Sequence, residues 1–368
     1  MALLTLALAA SSGLLIQPAV RHRSYVAPHH RVAGGSSPLL MCDAFVETEL
    51  PEARWVEIAQ TDSEPDAGAT TMPLFPLGAS YLPYTEPVLN IFEPRYRSMY
   101  NDLLFNGARR FAVVNIDPET GGRAEVGVVF YLDDLKEVSE QTQDRVKYVG
   151  SHRVIGRIKL DRVLNPSVMS TRQTYLKAQV EDFEDVDEEE ISEEEHTKNE
   201  ELFMELVKAQ TDIDEEPRFT KAVREALDFK KGSSAEDKGL WGVILLWQQF
   251  LEQRTVVLGQ KMQRDIQKGV QDYLKENKLR EELISPKGEI RLEDLPAPLL
   301  QEIRAIQTRY REELDARDSN PAGSQFQALL QSNSHRERLA IFQSVLAKER
   351  KRLQARSLLQ SLFKGDSS

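Results

Sequence analysis

Residues 89–97 read Leu89-Asn90-Ile91-Phe92-Glu93-Pro94-Arg95-Tyr96-Arg97, and this stretch decides the fold. Proline is tolerated in a first helical turn, where its missing N–H would be unpaired anyway, so Pro94 starts a helix. Tyr96, Met99, Tyr100, Leu103 and Leu104 follow at i, i+3, i+4, i+7 and i+8, one apolar stripe, and Asn106-Gly107 ends it. Upstream, Pro73, Pro76, Pro83 and Pro87 alternate with apolar residues, a spacing that forbids helix and predicts short edge strands and turns. Downstream, residues 111–116 are β-branched and aromatic, 117–122 have turn chemistry, and 124–138 read as a long strand or a bent pair. Residues 145–160 and 175–183 add further strands. Five strands with one helix predict a closed or nearly closed barrel, because closure removes unpaired edges.

Several motifs in this half occur in a telling order: Pro73-Leu74-Phe75-Pro76-Leu77, Leu82-Pro83, the 89–97 stretch, and Phe111-Ala112-Val113-Val114. Gly150 and Arg153 then mark a turn into a strand, and Tyr175-Leu176-Lys177-Ala178-Gln179-Val180-Glu181 forms another. Together they resemble the LON domain, the amino-terminal domain of Lon proteases. The resemblance implies an α+β fold, a PUA-like β-barrel followed by a helical bundle, in which Phe75, Pro76, Leu77, Phe92, Glu93, Pro94, Arg95 and Tyr96 are structural. Two departures stand out. Gln143-Asp144-Arg145 replaces an Asp-Gly-Arg hairpin, and Val154-Ile155-Gly156 looks like an insertion after Arg153.

The barrel subdomain is expected over residues 72–186 and a helical subdomain over 187–368. The helical part opens with Ser192-Glu193-Glu194-Glu195, a capping box. Apolar residues at Trp241, Ile244, Leu245, Leu251, Leu258, Met262 and Ile266 predict a long buried helix. A third helix starts near Ala297, and a fourth is announced by Ser334-His335-Arg336-Glu337. Pro321-Ala322-Gly323-Ser324 reads as a loop. The Gly/Ser/Lys-rich loop 230–239 lacks the Gly-Lys-Ser/Thr ending of a phosphate-binding loop.

The first forty residues read as an address. No charge falls between Ala2 and Val20, a leucine-rich run follows Met1, and a basic, Ser-containing stretch follows with no acid before Asp43. Residues 1–42 are therefore expected to be a cleavable plastid presequence, in the two-part form of plastids inside extra membranes or as a plain transit peptide, leaving a stromal protein with no membrane association. Ser11, Ser12, Gly13, Gln17 and Pro18 dilute the run as a membrane span. Residues 43–71 read as a linker.

The net charge of −12 is local. Residues 181–216 hold 18 acids against Lys198 and Lys208, a net of −16, so the remainder sums to about +4. The acidic net charge argues against nucleic acid as a partner, because phosphate neutralisation needs clustered Lys and Arg. The single cysteine, Cys42, excludes an intramolecular disulfide and a thiolate zinc site. No metal, cofactor or catalytic residue is expected, since neither a Walker A sequence nor a Ser-Lys peptidase context occurs.

The resemblance implies a non-catalytic module that binds unfolded or tagged polypeptides as an adaptor or holding factor, with a plastid protease as a candidate partner. Tyr81 and Tyr84, flanking Leu82-Pro83, are the candidate contacts, and packing of the barrel end is their alternative role. Arg95 and Arg97 are expected to make structural hydrogen bonds. The competing function is PUA-like RNA binding through Lys348, Arg350, Lys351, Arg352 and Arg356 on one helix.

Overall fold

The computed structural model describes residues 50–117, 119–186, 191–219, 223, 226–276, 296–317 and 322–365. The strands are β1 (Trp55–Val56), β2 (Thr70–Leu77), β3 (Val88–Ile91), β4 (Arg110–Asn115), β5 (Arg123–Ala124), β6 (Val126–Glu137), β7 (Tyr148–Val163) and β8 (Leu176–Asp182). Helix α1 (Pro94–Phe105) follows β3, while the short helices α2 (Ser139–Thr142) and α3 (Val168–Thr171) flank β7. Strands β7, β6, β4, β2 and β8 are hydrogen-bonded in that order, and β8 returns to β7, closing a five-stranded barrel. Every pairing is antiparallel except β2 with β4.

All five strands send residues into one apolar cluster, including Leu74, Ala112, Val129, Ile158 and Ala178, which marks the barrel interior. Alternate residues on the other face, Phe75, Phe111, Val113, Val128 and Phe130, join Tyr96, Met99 and Tyr100 of α1 in a second cluster. The period of two thus buries both faces of β4. Small residues make the close packing possible: a Cβ at Gly127 would lie 2.4 Å from the Val113 carbonyl oxygen.

Helix α1 has the expected bounds, with Glu93 at the N-cap, Pro94 in the first turn and Gly107 beyond the end at φ +70°. Its stripe is narrower than expected, because Leu104 is 44% exposed. A second correction concerns β2, expected at an edge, which lies between β4 and β8. Its prolines are tolerated because the strand changes partner. Thr70 to Leu74 pair with β8 and Leu74 to Leu77 with β4, so Pro73 and Pro76 each have a neighbour on one side. The apparent insertion after Arg153 is a β-bulge, since Val129 pairs with Gly156 and Phe130 with Val154, leaving Ile155 over.

The stretch read as a linker is structured from residue 54 onward. Strand β1 pairs with β5, Ser63 N–H donates to the Leu164 carbonyl, and Asp62 accepts from the Ser167 hydroxyl at 2.7 Å. These partners lie far away in sequence, so no local pattern announces them.

The helices that follow are α4 (Glu193–Asp212), α5 (Leu240–Glu276), α6 (Ala297–Arg317), α7 (Ala322–Leu330) and α8 (His335–Gly365). The Ser192/Glu195 capping box forms as read. At α8, Ser334 Oγ caps Glu337 N–H, but the Glu337 carboxylate reaches Asn333 N–H instead of the cap residue. Helix α7 occupies part of the expected loop at 321–324. Short helices with Gly and Ser near the start give little periodicity to read, and α7 holds through buried Phe326, Leu329 and Leu330.

The described residues divide into two compact units. Residues 50–257 with 316–365 form one, in which barrel and helices share the cluster of Phe111, Phe203, Trp247 and Phe342. In the other, within 258–315, the end of α5 and most of α6 run antiparallel, packing Val270 on Leu299 and Ile303, with Tyr310 Oη donating to Asp265 at 2.9 Å. The presequence expectation lies outside the described residues.

Candidate polypeptide-binding surface

The barrel closes without β3. That strand pairs with the first part of β7 alone and stands at the end of the sheet order, so its other edge is open among the described residues. The Pro87 carbonyl accepts from His152 N–H and the Ile91 carbonyl from Lys147 N–H, so the backbone groups of residues 87, 89 and 91 face β7. By alternation, those of Val88 and Asn90 face outward. Val88 is 62% exposed and Phe92, just beyond the strand, 56%. Unpaired N–H and C=O groups beside exposed apolar side chains form a template for an added strand. At the far end of α1, Phe105 is 88% exposed.

Tyr81 and Tyr84 are half-buried and pack against the core. Tyr81 meets Phe130 edge-on at 5.1 Å. Tyr84 has φ +65°, and its N–H donates to the Val154 carbonyl of β7, which fastens the loop to the barrel. The structure therefore brings both tyrosines into the packing of the barrel, with part of each ring reaching solvent.

The residues of the 93–97 motif act mainly on one another. Phe75 stacks on Tyr96 with ring centroids 3.9 Å apart, and Arg95 donates to Glu93 at 2.8 Å while lying over the Tyr96 ring. Pro76 and Leu77 continue the β2 ladder to β4. Arg97 donates to the Phe92 carbonyl and holds Asp144 in the turn after α2, where Gln143 and Asp144 both adopt positive φ. That turn is the departure from Asp-Gly-Arg, and the arginine grip stabilises it without glycine.

Behind α1, Tyr100 Oη lies 2.7 Å from His152 Nε2, and His152 Nδ1 lies 3.2 Å from the Pro87 carbonyl. Nδ1 therefore carries the proton toward Pro87, and Nε2 accepts from the phenol. Burial among Tyr100, Phe111 and Phe130 drives the imidazole pKa down to about 4 and pushes the phenol far above its ordinary range. This pair anchors the β3–β7 junction.

Two buried ionic clusters hold this unit together, the first joining barrel to helices and the second joining helices to one another. Arg157 of β7 donates to the carbonyls of Leu330 and Ser332 and to Asp185 at 2.5 Å, while Arg338 of α8 grips the same carboxylate and covers Trp241 at 4.2 Å. Burial alone would raise the Asp185 carboxyl, but hydrogen bonds and charge from Arg338, with the charge of Arg157, hold it below the usual range. The second cluster draws on the basic face of α8. Arg352 bonds Glu215 and Glu349, Arg356 bonds Glu215, and Arg350 pairs with Glu205 at 3.7 Å. Three of the five cations proposed for RNA are thus spent on acids of the same unit.

Depressions of about 710 Å³ along α4, lined by Glu200, Glu201, Met204 and Glu205, and about 360 Å³ beside loop 230–239 are both acid-bearing. Among the described residues, no His, Cys, Asp and Glu cluster suits a metal ion, and no helix is long and apolar enough to cross a membrane.

Fold and surface together define a closed-barrel α+β protein in which β3, outside the closed ring, has an edge that is open among the described residues and flanked by apolar side chains. No family model matches the chain, and no curated protein does. Among solved structures it is similar to a Lon N-terminal domain protein from Xanthomonas campestris, at 20% identity and a TM-score of 0.29, covering 48% of this chain and 97% of that one. It is also similar to the N-terminal domain of Mycobacterium avium complex Lon protease, at 11% identity and a TM-score of 0.28, covering 39% of this chain and 70% of that one.

Proposed function

We propose that this chain is a LON-type polypeptide-binding module that takes up extended or unfolded segments along the outer edge of β3, as a recognition adaptor or holding factor in the plastid. The observation that carries the reading is the β3 edge, open among the described residues between exposed Val88 and Phe92, beside a ring of five strands that closes without it. Main-chain hydrogen bonds there suit any sequence, and neighbouring apolar side chains favour unfolded over folded clients. The ordered Phe75-to-Tyr96 motifs and their resemblance to LON domains support the same reading. The basic helix face, spent on Glu205, Glu215 and Glu349, speaks against RNA.

Fluorescence anisotropy with a labelled, permanently unfolded polypeptide tests the proposal. The full chain should bind, and Val88→Lys with Phe92→Glu should weaken binding about tenfold or more, because edge charges oppose strand addition. Binding unchanged in the double variant would remove the β3 edge from the mechanism. Import of a fluorescent fusion to residues 1–42 tests the plastid assignment separately.

A further inference from the structure

We propose that Arg123, with Tyr96, Arg95 and Arg172 around it, receives a carboxylate of a bound polypeptide. This inference rests on the polypeptide-binding reading and adds a second recognition element to it.

Arg123 of β5 is 6% exposed, yet its contacts are neutral. One terminal nitrogen donates to the carbonyl of Gly121, the other lies 3.9 Å from Met169 Sδ, and Nε has no partner. A thioether is a weak acceptor, so most of the guanidinium's hydrogen-bonding capacity is unused. The other deeply buried arginines, Arg157, Arg254 and Arg338, each hold a carboxylate. Among the described residues, Arg123 holds none. Burying a guanidinium without a counter-charge is costly, and an orphaned buried donor calls for a partner.

The surroundings have the composition of an anion site. The Tyr96 hydroxyl makes no hydrogen bond among the described residues, and the Arg95 guanidinium sits 4.5 Å from its ring centroid. Arg172 caps α3, the helix that carries Met169 against Arg123, and its side chain is exposed. Burial raises the Tyr96 phenol, and the charges of Arg95, Arg123 and Arg172 act against that rise, so all three lie within electrostatic reach of the ring. Glu93 is the one acid among them, bound to Arg95. Three cations and a hydroxyl with no hydrogen bond among the described residues, against one carboxylate, leave a net charge of +2 for an anion to offset. A planar monoanion matches the guanidinium fork and meets less repulsion from Glu93 than a phosphate dianion would.

The carboxylate could belong to a chain terminus or to an Asp or Glu side chain, and three labelled peptides distinguish the two. One ends in a free acid, one is its C-terminal amide, and one is the amide with an internal Glu. Anisotropy on the full chain should show the free-acid peptide, the Glu peptide or both binding about tenfold tighter than the plain amide. Tyr96→Phe and Arg172→Ala, which leave Arg123 in place, should each reduce that preference, and Arg123→Met should abolish it while circular dichroism stays unchanged. If Arg123→Met misfolds, the other two variants carry the test. Equal binding of all three peptides overturns the carboxylate site. If Val88→Lys still weakens that binding, the β3 proposal survives. Protection of the wild type by inorganic phosphate alone, with no peptide preference, would likewise overturn it.

Discussion

Asp185 offers a sharp test of how barrel and helices are joined. Its carboxylate accepts from Arg157, whose side chain is 6% exposed, and from Arg338, 1% exposed, and it is itself 10% exposed. Asp185→Asn keeps the shape but removes the charge, leaving two buried guanidiniums facing each other across a neutral amide. Breaking a buried pair by deleting one partner costs about 3–5 kcal/mol. The upper end applies here because two cations lose their counter-ion at once, although Arg157 keeps its bonds to the Leu330 and Ser332 carbonyls. Urea unfolding followed by tryptophan fluorescence reads the loss directly, since Arg338 lies over Trp241. The pH dependence supplies a second reading. A carboxyl with a depressed folded-state pKa contributes stability that is present above the ordinary Asp value near 4 and is lost as pH falls through the folded value. The variant should therefore lose part of the wild type's acid sensitivity below about pH 4. A triple variant, Arg157→Met, Asp185→Leu and Arg338→Met, should recover most of the stability, because apolar replacement of a whole buried cluster is often neutral. A loss under about 1 kcal/mol in Asp185→Asn, the range of exposed pairs, would refute the reasoning.

Other outcomes follow from single contacts. His152 is 2% exposed with its pKa near 4, so the unfolded chain takes up a proton between the ordinary value of 6.5 and that point while the folded chain does not. Stability should fall by about 3 kcal/mol as pH drops across this window, and the slope should vanish in His152→Gln when thermal unfolding is measured at each pH. Tyr100→Phe leaves Nε2 without its donor and should cost about 1–3 kcal/mol by urea titration. Gly127→Ala forces a methyl against the Val113 carbonyl and should cost about 1–3 kcal/mol in the same assay. Ser192→Ala removes the α4 cap at about 1 kcal/mol, read as lost helicity and a lower urea midpoint.

Local signals in the sequence reached as far as their range allowed. Pro94, Asn106-Gly107 and the Ser192/Glu195 pair each act within a few residues, and each appears where it was read. Strand existence was equally legible, since alternation at residues 176–180 is a property of one segment. What escaped depended on partners more than fifty residues away. The bond of Arg54 N–H to Gln331 and the pairing of Trp55 with Ala124 give order to a stretch that looks like a linker in isolation. Arg123 lies in a two-residue strand after a Gly-Gly turn, and nothing nearby in sequence says that it is buried.

The same distinction separates the two candidate surfaces. Tyr81 and Tyr84 attracted notice because aromatic rings in a proline-rich segment have no local reason to be buried. Their cover comes from Phe130 and Val154, strands that follow much later. Val88 carries no such signal, since a β-branched residue in a strand reads as core. Its exposure follows from topology: once β7 bends at the Ile155 bulge and its far half pairs with β8, the ring closes without β3. A strand that supports the barrel on one edge and is left over by its closure is thereby available on the other. The bulge and the open edge are consequences of one register, so deleting Ile155 should disturb both, shifting the β6–β7 pairing and weakening capture of an added strand together.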